Sequence, residues 1–224
     1  MRITFLGTGT SQGVPMIACN CAVCTSDDAH DKRLRSSILI EENGKNVVID
    51  SGPDFRYQML RAQVKHLEAV VFTHEHKDHV AGLDDIRAFN YFQNAAVDVF
   101  ADLRVQATLK REFSYIFSEY QYPGIPQINL KTIDLGPFTA AGMPFVPIEV
   151  LHYKLPVLGF RIHDFTYITD AKTISAAETE KVIGSKILVV NALQKEKHIS
   201  HFTLDEALAF AKKNRSRNDL FHTH

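Results

Sequence analysis

The sequence contains no uninterrupted run of the roughly 18 apolar residues that a membrane-spanning helix needs, so an integral helical membrane protein is excluded. Its opening, Met-Arg-Ile-Thr-Phe-Leu-Gly, lacks a charged stretch followed by a long apolar core, so no signal peptide is expected. A surplus of one charge sign is also missing. With 25 Lys and Arg against 26 Asp and Glu, the formal net charge is −1, and bulk nucleic-acid binding is not expected. There is no repeat, no low-complexity tract and no Pro- or Gly-rich linker, which favours a single domain spanning residues 1–224. Cysteine is scarce: the three present all fall between Cys19 and Cys24. An odd, crowded set without a secretion signal reads as reduced thiols or thiolate ligands, not as a disulfide framework, and points to the cytoplasm.

Histidine, by contrast, is plentiful, with eleven in 224 residues. The elements around them alternate. Arg2–Leu6 is a short apolar run ended by glycines, and Ser37–Ile40 and Asn46–Ile49 flank Asn43-Gly44, a strong hairpin signal. Ala69–Phe72 has the pattern of a buried strand. Helical spacing of apolar residues follows over Leu83–Phe92 and Asp102–Phe117. Strand-like runs return at Phe145–Leu151, Val157–Ile162, Phe165–Ile168 and Ile187–Val190, with a helix over Ser175–Ile183. A last helix, Leu204–Lys213, starts behind Thr203, with Glu206 placed to complete a capping box. Strand clusters followed by helices suggest a layered α/β protein, and periodicity leaves open whether it has one sheet or two.

The chemistry concentrates in T-H-E-H-K-D-H-V, where His74, His76, Asp78 and His79 lie within six positions directly behind the Ala69–Phe72 strand. Imidazole and carboxylate suit zinc, manganese and iron. A tight turn there brings alternate residues to one point, so that His74 and His76 face one ion while Asp78 and His79 turn toward a second. The competing view, a polar loop of solvated histidines, fits that density poorly. Glu75, Lys77 and Arg56 lie close by in sequence with no readable role.

This H-x-H-x-D-H pattern resembles the metallo-β-lactamase superfamily, and further segments match that superfamily in order. Asp50 in V-V-I-D-S-G resembles its buried aspartate, His152 in V-L-H-Y-K-L-P the histidine completing the first metal's ligands, and Asp170 in Y-I-T-D-A the carboxylate bridging both ions. Read alone, Asp50 is also a strand-end turn residue, Asp170 a helix cap and His152 a core histidine. The opening L-G-T-G-T-S-Q-G-V-P with C-N-C-A-V-C is similar to the PhnP-like cyclic phosphodiesterases. That likeness implies that Cys19, Cys21 and Cys24 help bind a structural zinc, where three idle thiols are the alternative. His201 in I-S-H-F-T-L-D-E-A resembles the histidine those relatives place over the substrate, and otherwise flanks the last helix. His30, His66, His163 and His198 match no role.

The resemblance implies an αββα four-layer sandwich of two mixed β-sheets with helices outside. It further implies a metal-dependent hydrolase: a dinuclear phosphodiesterase acting on small, cyclic or open phosphodiesters by metal-activated water. Asp78 and His201 are its expected catalytic residues, and two divalent ions, zinc or manganese, its cofactors. The alternatives are a thioester or lactam hydrolase, a tRNA 3′-processing nuclease, and a non-catalytic metal-binding carrier. No membrane partner is expected; a homodimer is open, though no apolar stripe points to one. The ending departs from the family. Relatives close with T-H-x-S-H, whereas this sequence runs N-R-S-R-N-D-L-F-H-T-H, with a polar stretch over Asn214–Asp219 unlike a core strand. The expectation is an end truncated or frameshifted after about residue 213, since the same codons read one base later can spell I-A-P-E-T-I-Y-F-T-H-I. His224 is matched to the second metal's last ligand on that string alone, and the second metal site is expected to be weakened.

Overall fold

Chain order and sheet order coincide in the first half of the computed structural model, which describes residues 1–119, 122–214 and, for the backbone, 218–223. Contacts group the chain into two compact units, Met1–Ile133 and Asp134–His224.

The first unit carries β1 (Arg2–Gly7), β2 (Ser37–Glu42), β3 (Lys45–Ile49), α1 (Phe55–Arg61), β4 (Ala69–Val71), α2 (Lys77–Val80), α3 (Arg87–Gln93), β5 (Val97–Ala101), α4 (Leu103–Glu112) and β6 (Ile128–Thr132). The strands pair in the order β1-β2-β3-β4-β5-β6, antiparallel up to β3 and parallel beyond it. The β2–β3 turn is the expected hairpin: Asn43 and Gly44 have φ of 51° and 74°, the paired left-handed conformation of a two-residue turn. Val47–Ile49 and Ala69–Val71 are fully buried, because a central parallel strand is covered on both faces and reads as a continuous apolar run. Ile49 pairs with Val71, so the chain leaves β3 and β4 side by side, at the carboxyl ends where open α/β sheets place their ligands. Val48, Val70, Phe72, Leu83, Val99 and Leu109 belong to the core of this unit.

The expected helix over Asp102–Phe117 is two pieces. Asp102 caps α4 by accepting from the Val105 N–H at 2.7 Å, and a separate 3₁₀ turn spans Ser114–Phe117. Phe113, at φ −116° and ψ 43°, breaks the helical path between them. Leu83–Phe92 likewise divides into a 3₁₀ turn over Leu83–Ile86 and α3, which Asn94 ends in the left-handed conformation.

The second unit carries β7 (Phe138–Ala140), β8 (Met143–His152), β9 (Leu155–Ile162), β10 (Phe165–Ile168), β11 (Thr173–Ile174), α5 (Ala176–Glu180), β12 (Ile187–Ala192), α6 (Leu204–Asn214) and β13 (Asn218–Thr223). Its sheet runs β11-β8-β9-β10-β12-β13, with β7 on β8. Ile148, Val150, Val157, Leu188 and Val190 form the core with Ala207 and Ala211 of α6, whose small side chains let the helix lie close. The capping box is formed: Thr203 Oγ1 accepts from the Glu206 N–H at 3.2 Å, and Glu206 Oε2 accepts from the Thr203 N–H at 2.8 Å. β13 runs parallel to β12, from Ile187 opposite Asn218 to Ala192 opposite Thr223. The polar composition of Asn214–Asp219 gave no hint of this pairing, which uses main-chain groups and not side chains. Both sheets are mixed and accompanied by helices, the expected fold class. Among the described residues no helix is long and apolar enough to cross a membrane.

Candidate metal centre

In the first unit, Asp50 is the hinge of the site. It stands one residue beyond β3 with φ 64°, a left-handed conformation that short polar side chains tolerate, and it is fully buried. Its Oδ1 accepts from the Thr73 N–H at 2.9 Å, and its Oδ2 from Thr73 Oγ1 at 2.8 Å and His79 Nδ1 at 2.7 Å. Burial pushes the Asp50 carboxyl above the usual carboxylate range, and His79 and Thr73 pull it back. The Asp50–Gly52 turn lies backbone to backbone against the histidine loop. A Cβ built on Gly52 would stand 2.0 Å from the Asp78 carbonyl oxygen, and one on Gly82 would stand 2.2 Å from that of Gly52. Only glycine fits either position.

This network sets the tautomers. As a carboxylate, Asp50 only accepts, so His79 then donates from Nδ1 and its Nε2 carries the lone pair. The Thr73 hydroxyl spends its proton on Asp50. The Nδ1 of His74, 3.0 Å from that hydroxyl, is therefore the donor, and its Nε2 carries the lone pair that a metal would take. His74 is fully buried, while His76 is exposed on the loop that begins α2. The ring of His74 lies 4.6 Å from that of His76 and 4.1 Å from that of His79, centroid to centroid. His79 Nε2 is 3.2 Å from Asp78 Oδ2. The four expected ligands of the motif are thus together, with neutral imidazole nitrogens and carboxylate oxygen in the mixture that zinc and manganese accept.

In the second unit, His152 ends β8, Asp170 follows β10 and His201 precedes α6. One ligand atom from each lies within 4.8 Å of the others. His152 Nδ1 donates to the Ser200 carbonyl at 2.9 Å, which again puts the lone pair a metal would take on Nε2. The loop after Asp170 is clamped by buried Asn191, which accepts from the Ala171 N–H at 2.7 Å and donates to the Ala171 carbonyl at 3.1 Å. That carbonyl also accepts from the Phe202 N–H at 2.8 Å. His201 therefore sits between two anchored neighbours, Ser200 and Phe202, with its ring 4.5 Å from that of His152. Thr169 Oγ1 donates to Asp170 Oδ1 at 2.7 Å, directing the second oxygen of a residue held at φ 56°.

Cys19, Cys21 and Cys24 also converge, with their sulfurs within 4.8 Å of one another. The Cys24 N–H pointing at the Cys21 sulfur, 3.5 Å away, is the first cause that lowers the Cys21 thiol to about 7, so a large share is thiolate at neutral pH. Three cysteine sulfurs at this spacing suit a tetrahedral zinc.

His224 lies outside the described residues. Four contributors escaped the sequence reading: Thr73, which relays Asp50 to His74; Gly52 and Gly82, which permit the close approach; and His198, half-buried with its ring 5.1 Å from that of His201. Thr73 and Gly52 stand inside the quoted motifs, so position beside a ligand was an available signal. His198 offered none.

Residues 45–224 match the β-lactamase superfamily domain. A crystal structure described as that of a new diphosphatase from the PhnP family superposes with a TM-score of 0.91 at 38% identity, covering 99% of this chain and 85% of that one. The chain belongs to the PhnP family of the β-lactamase superfamily. A protein of Porphyromonas gingivalis named octanoyltransferase is 41% identical over 211 residues, 93% of this chain and 42% of its own length. Coenzyme PQQ synthesis protein B of Methylorubrum extorquens is 33% identical over 201 residues, 84% of this chain and 61% of its own length. The chain thus spans less than two thirds of the length of these curated relatives. Both names belong to those proteins.

Proposed function

We propose that the protein is a metal-dependent phosphodiesterase acting on a small phosphodiester, with His74, His76, Asp78, His79, His152 and Asp170 as ligands of two divalent ions. The observation that carries this reading is the likeness to a PhnP-family diphosphatase over nearly the whole chain. When bound, such ions supply Lewis-acid polarisation of the phosphoryl oxygens and lower the pKa of a water. The chain's own residues do the rest. Asp50 holds His79 directly and His74 through Thr73, so both imidazoles keep their ligand nitrogens unprotonated. The Ser200 carbonyl does the same for His152. His201, anchored between Ser200 and Phe202, protonates the departing alkoxide. Cys19, Cys21 and Cys24 bind a structural zinc.

A second reading has one specific support. The relative named octanoyltransferase favours an acyl substrate, and the same ions would serve a thioester hydrolase. A panel separates the two. With zinc or manganese present, bis-p-nitrophenyl phosphate and a 2′,3′-cyclic nucleotide should turn over and octanoyl thioester should not, and chelation should abolish the reaction. Thioester hydrolysis with the phosphodiesters untouched would transfer the assignment to the acyl reading.

A further inference from the structure

His76 differs from the other imidazoles of its motif in being exposed, and the residues on either side of it are both tied to α4. Arg104 Nε donates to Glu75 Oε2 at 3.1 Å, and Lys77 Nζ donates to Glu112 Oε2. Each tie is itself supported. Arg104 also faces the capping carboxylate of Asp102 at 3.6 Å, and Arg111 Nε reaches Glu112 Oε1 at 3.2 Å. The hydrogen bond from Lys77, and then that from Arg111, hold the Glu112 carboxyl below the usual range, so it stays ionised at neutral pH. Arg104 and Glu112 are eight residues apart, about 12 Å along a helix axis. The two pairs therefore grip the short Glu75-His76-Lys77 segment from opposite ends of α4. Inside the site, Asp50 performs this service for His79 and His74; the ion pairs are the corresponding device on the exposed side.

We propose that Arg104 and Glu112 are positioning residues for His76: by fixing Glu75 and Lys77, α4 holds the His76 imidazole where it ligates, and so sets the affinity of the ion it binds. This rests on the reading of His76 as a metal ligand. Partners that orient a metal ligand directly carry about 10–100-fold in affinity, and exposed ion pairs are each worth about fivefold at most. Two such pairs acting through the neighbouring residues should therefore be worth about tenfold.

The test is competition titration of the metal-free, full-length protein with zinc, at low and high salt, for wild type, Arg104→Ala, Glu112→Gln, the double variant and His76→Ala. The thermal midpoint of each metal-free protein is measured alongside. The double variant should bind one ion about tenfold more weakly at low salt, with a wild-type midpoint. The gap should shrink at about 1 M salt, where the screening length falls to roughly 3 Å. The charge swap Lys77→Glu with Glu112→Lys should restore affinity, which a general packing role would not produce, and it carries the test if the double variant fails to fold. If His76→Ala loses an ion while the double variant binds like wild type, the proposal is overturned and the metal reading stands. If His76→Ala binds like wild type, the metal reading falls and takes the proposal with it.

Discussion

Replacing Asp50 by alanine should cost on the order of 10³-fold in phosphodiesterase kcat/KM and most of the bound metal, because two ligands lose their orientation together and each such loss is worth about 10–100-fold. The substitution leaves the Thr73 N–H, the Thr73 hydroxyl and His79 Nδ1 without their acceptor in a fully buried place. Removing one partner of such a buried network costs about 3–5 kcal/mol. At about 2–4 °C per kcal/mol for a chain of this size, the thermal midpoint of the metal-free protein should fall by roughly 6–20 °C. Asp50→Asn keeps the shape but turns one acceptor into a donor aimed at a donor, so it should rescue little. Calorimetry and metal analysis of the two variants check this. Full metal content in Asp50→Ala would mean that the histidines are positioned by something other than Asp50.

Asp170→Asn should be as damaging to activity and nearly silent in stability. The amide can still accept from Thr169 with its oxygen, and the clamp between Asn191 and Ala171 uses main-chain groups that the substitution leaves in place. What changes is the face turned toward His152 and His201, where an NH₂ group replaces a charged oxygen. A lost anionic ligand should lower kcat/KM on the order of 10³-fold, about 4 kcal/mol of transition-state stabilisation. The thermal midpoint of the metal-free protein should move by less than about 2 °C. Steady-state kinetics beside a melting curve reads both. Near-wild-type turnover would remove Asp170 from the chemistry.

These variants differ because one carboxylate is bound up with Thr73 and His79 and the other faces His152 and His201, a distinction the sequence only half contained. The clustering of these side chains was legible where chemistry is compressed: three histidines and an aspartate stand in six positions behind an apolar strand, and the fold brings them together. The Thr203–Glu206 capping box and the Asn43-Gly44 hairpin were legible because both are made by residues within a few positions of each other. Elements that owe their state to neighbours were not. β6 does alternate, with Ile128 and Leu130 half-buried and Asn129 and Lys131 exposed, but over too few residues for the period to stand out, and it is a strand through pairing with β5. α1 is too short for its period to stand out, and buries only Phe55, Gln58 and Met59. Arg104 lies 29 residues from Glu75, and no local pattern links them. The strand formed by Asn218–Thr223 went unread because its pairing is a main-chain property and its composition is polar.

The proposed function stands on binding of catalytic metal by the histidine motif. Its most direct test is metal analysis of the purified protein and of His76→Ala, together with hydrolysis of bis-p-nitrophenyl phosphate by each. The wild type should carry divalent metal and the variant about one ion per chain less, with a loss of turnover on the order of 10³-fold. Undiminished turnover and unchanged metal content in His76→Ala would contradict it.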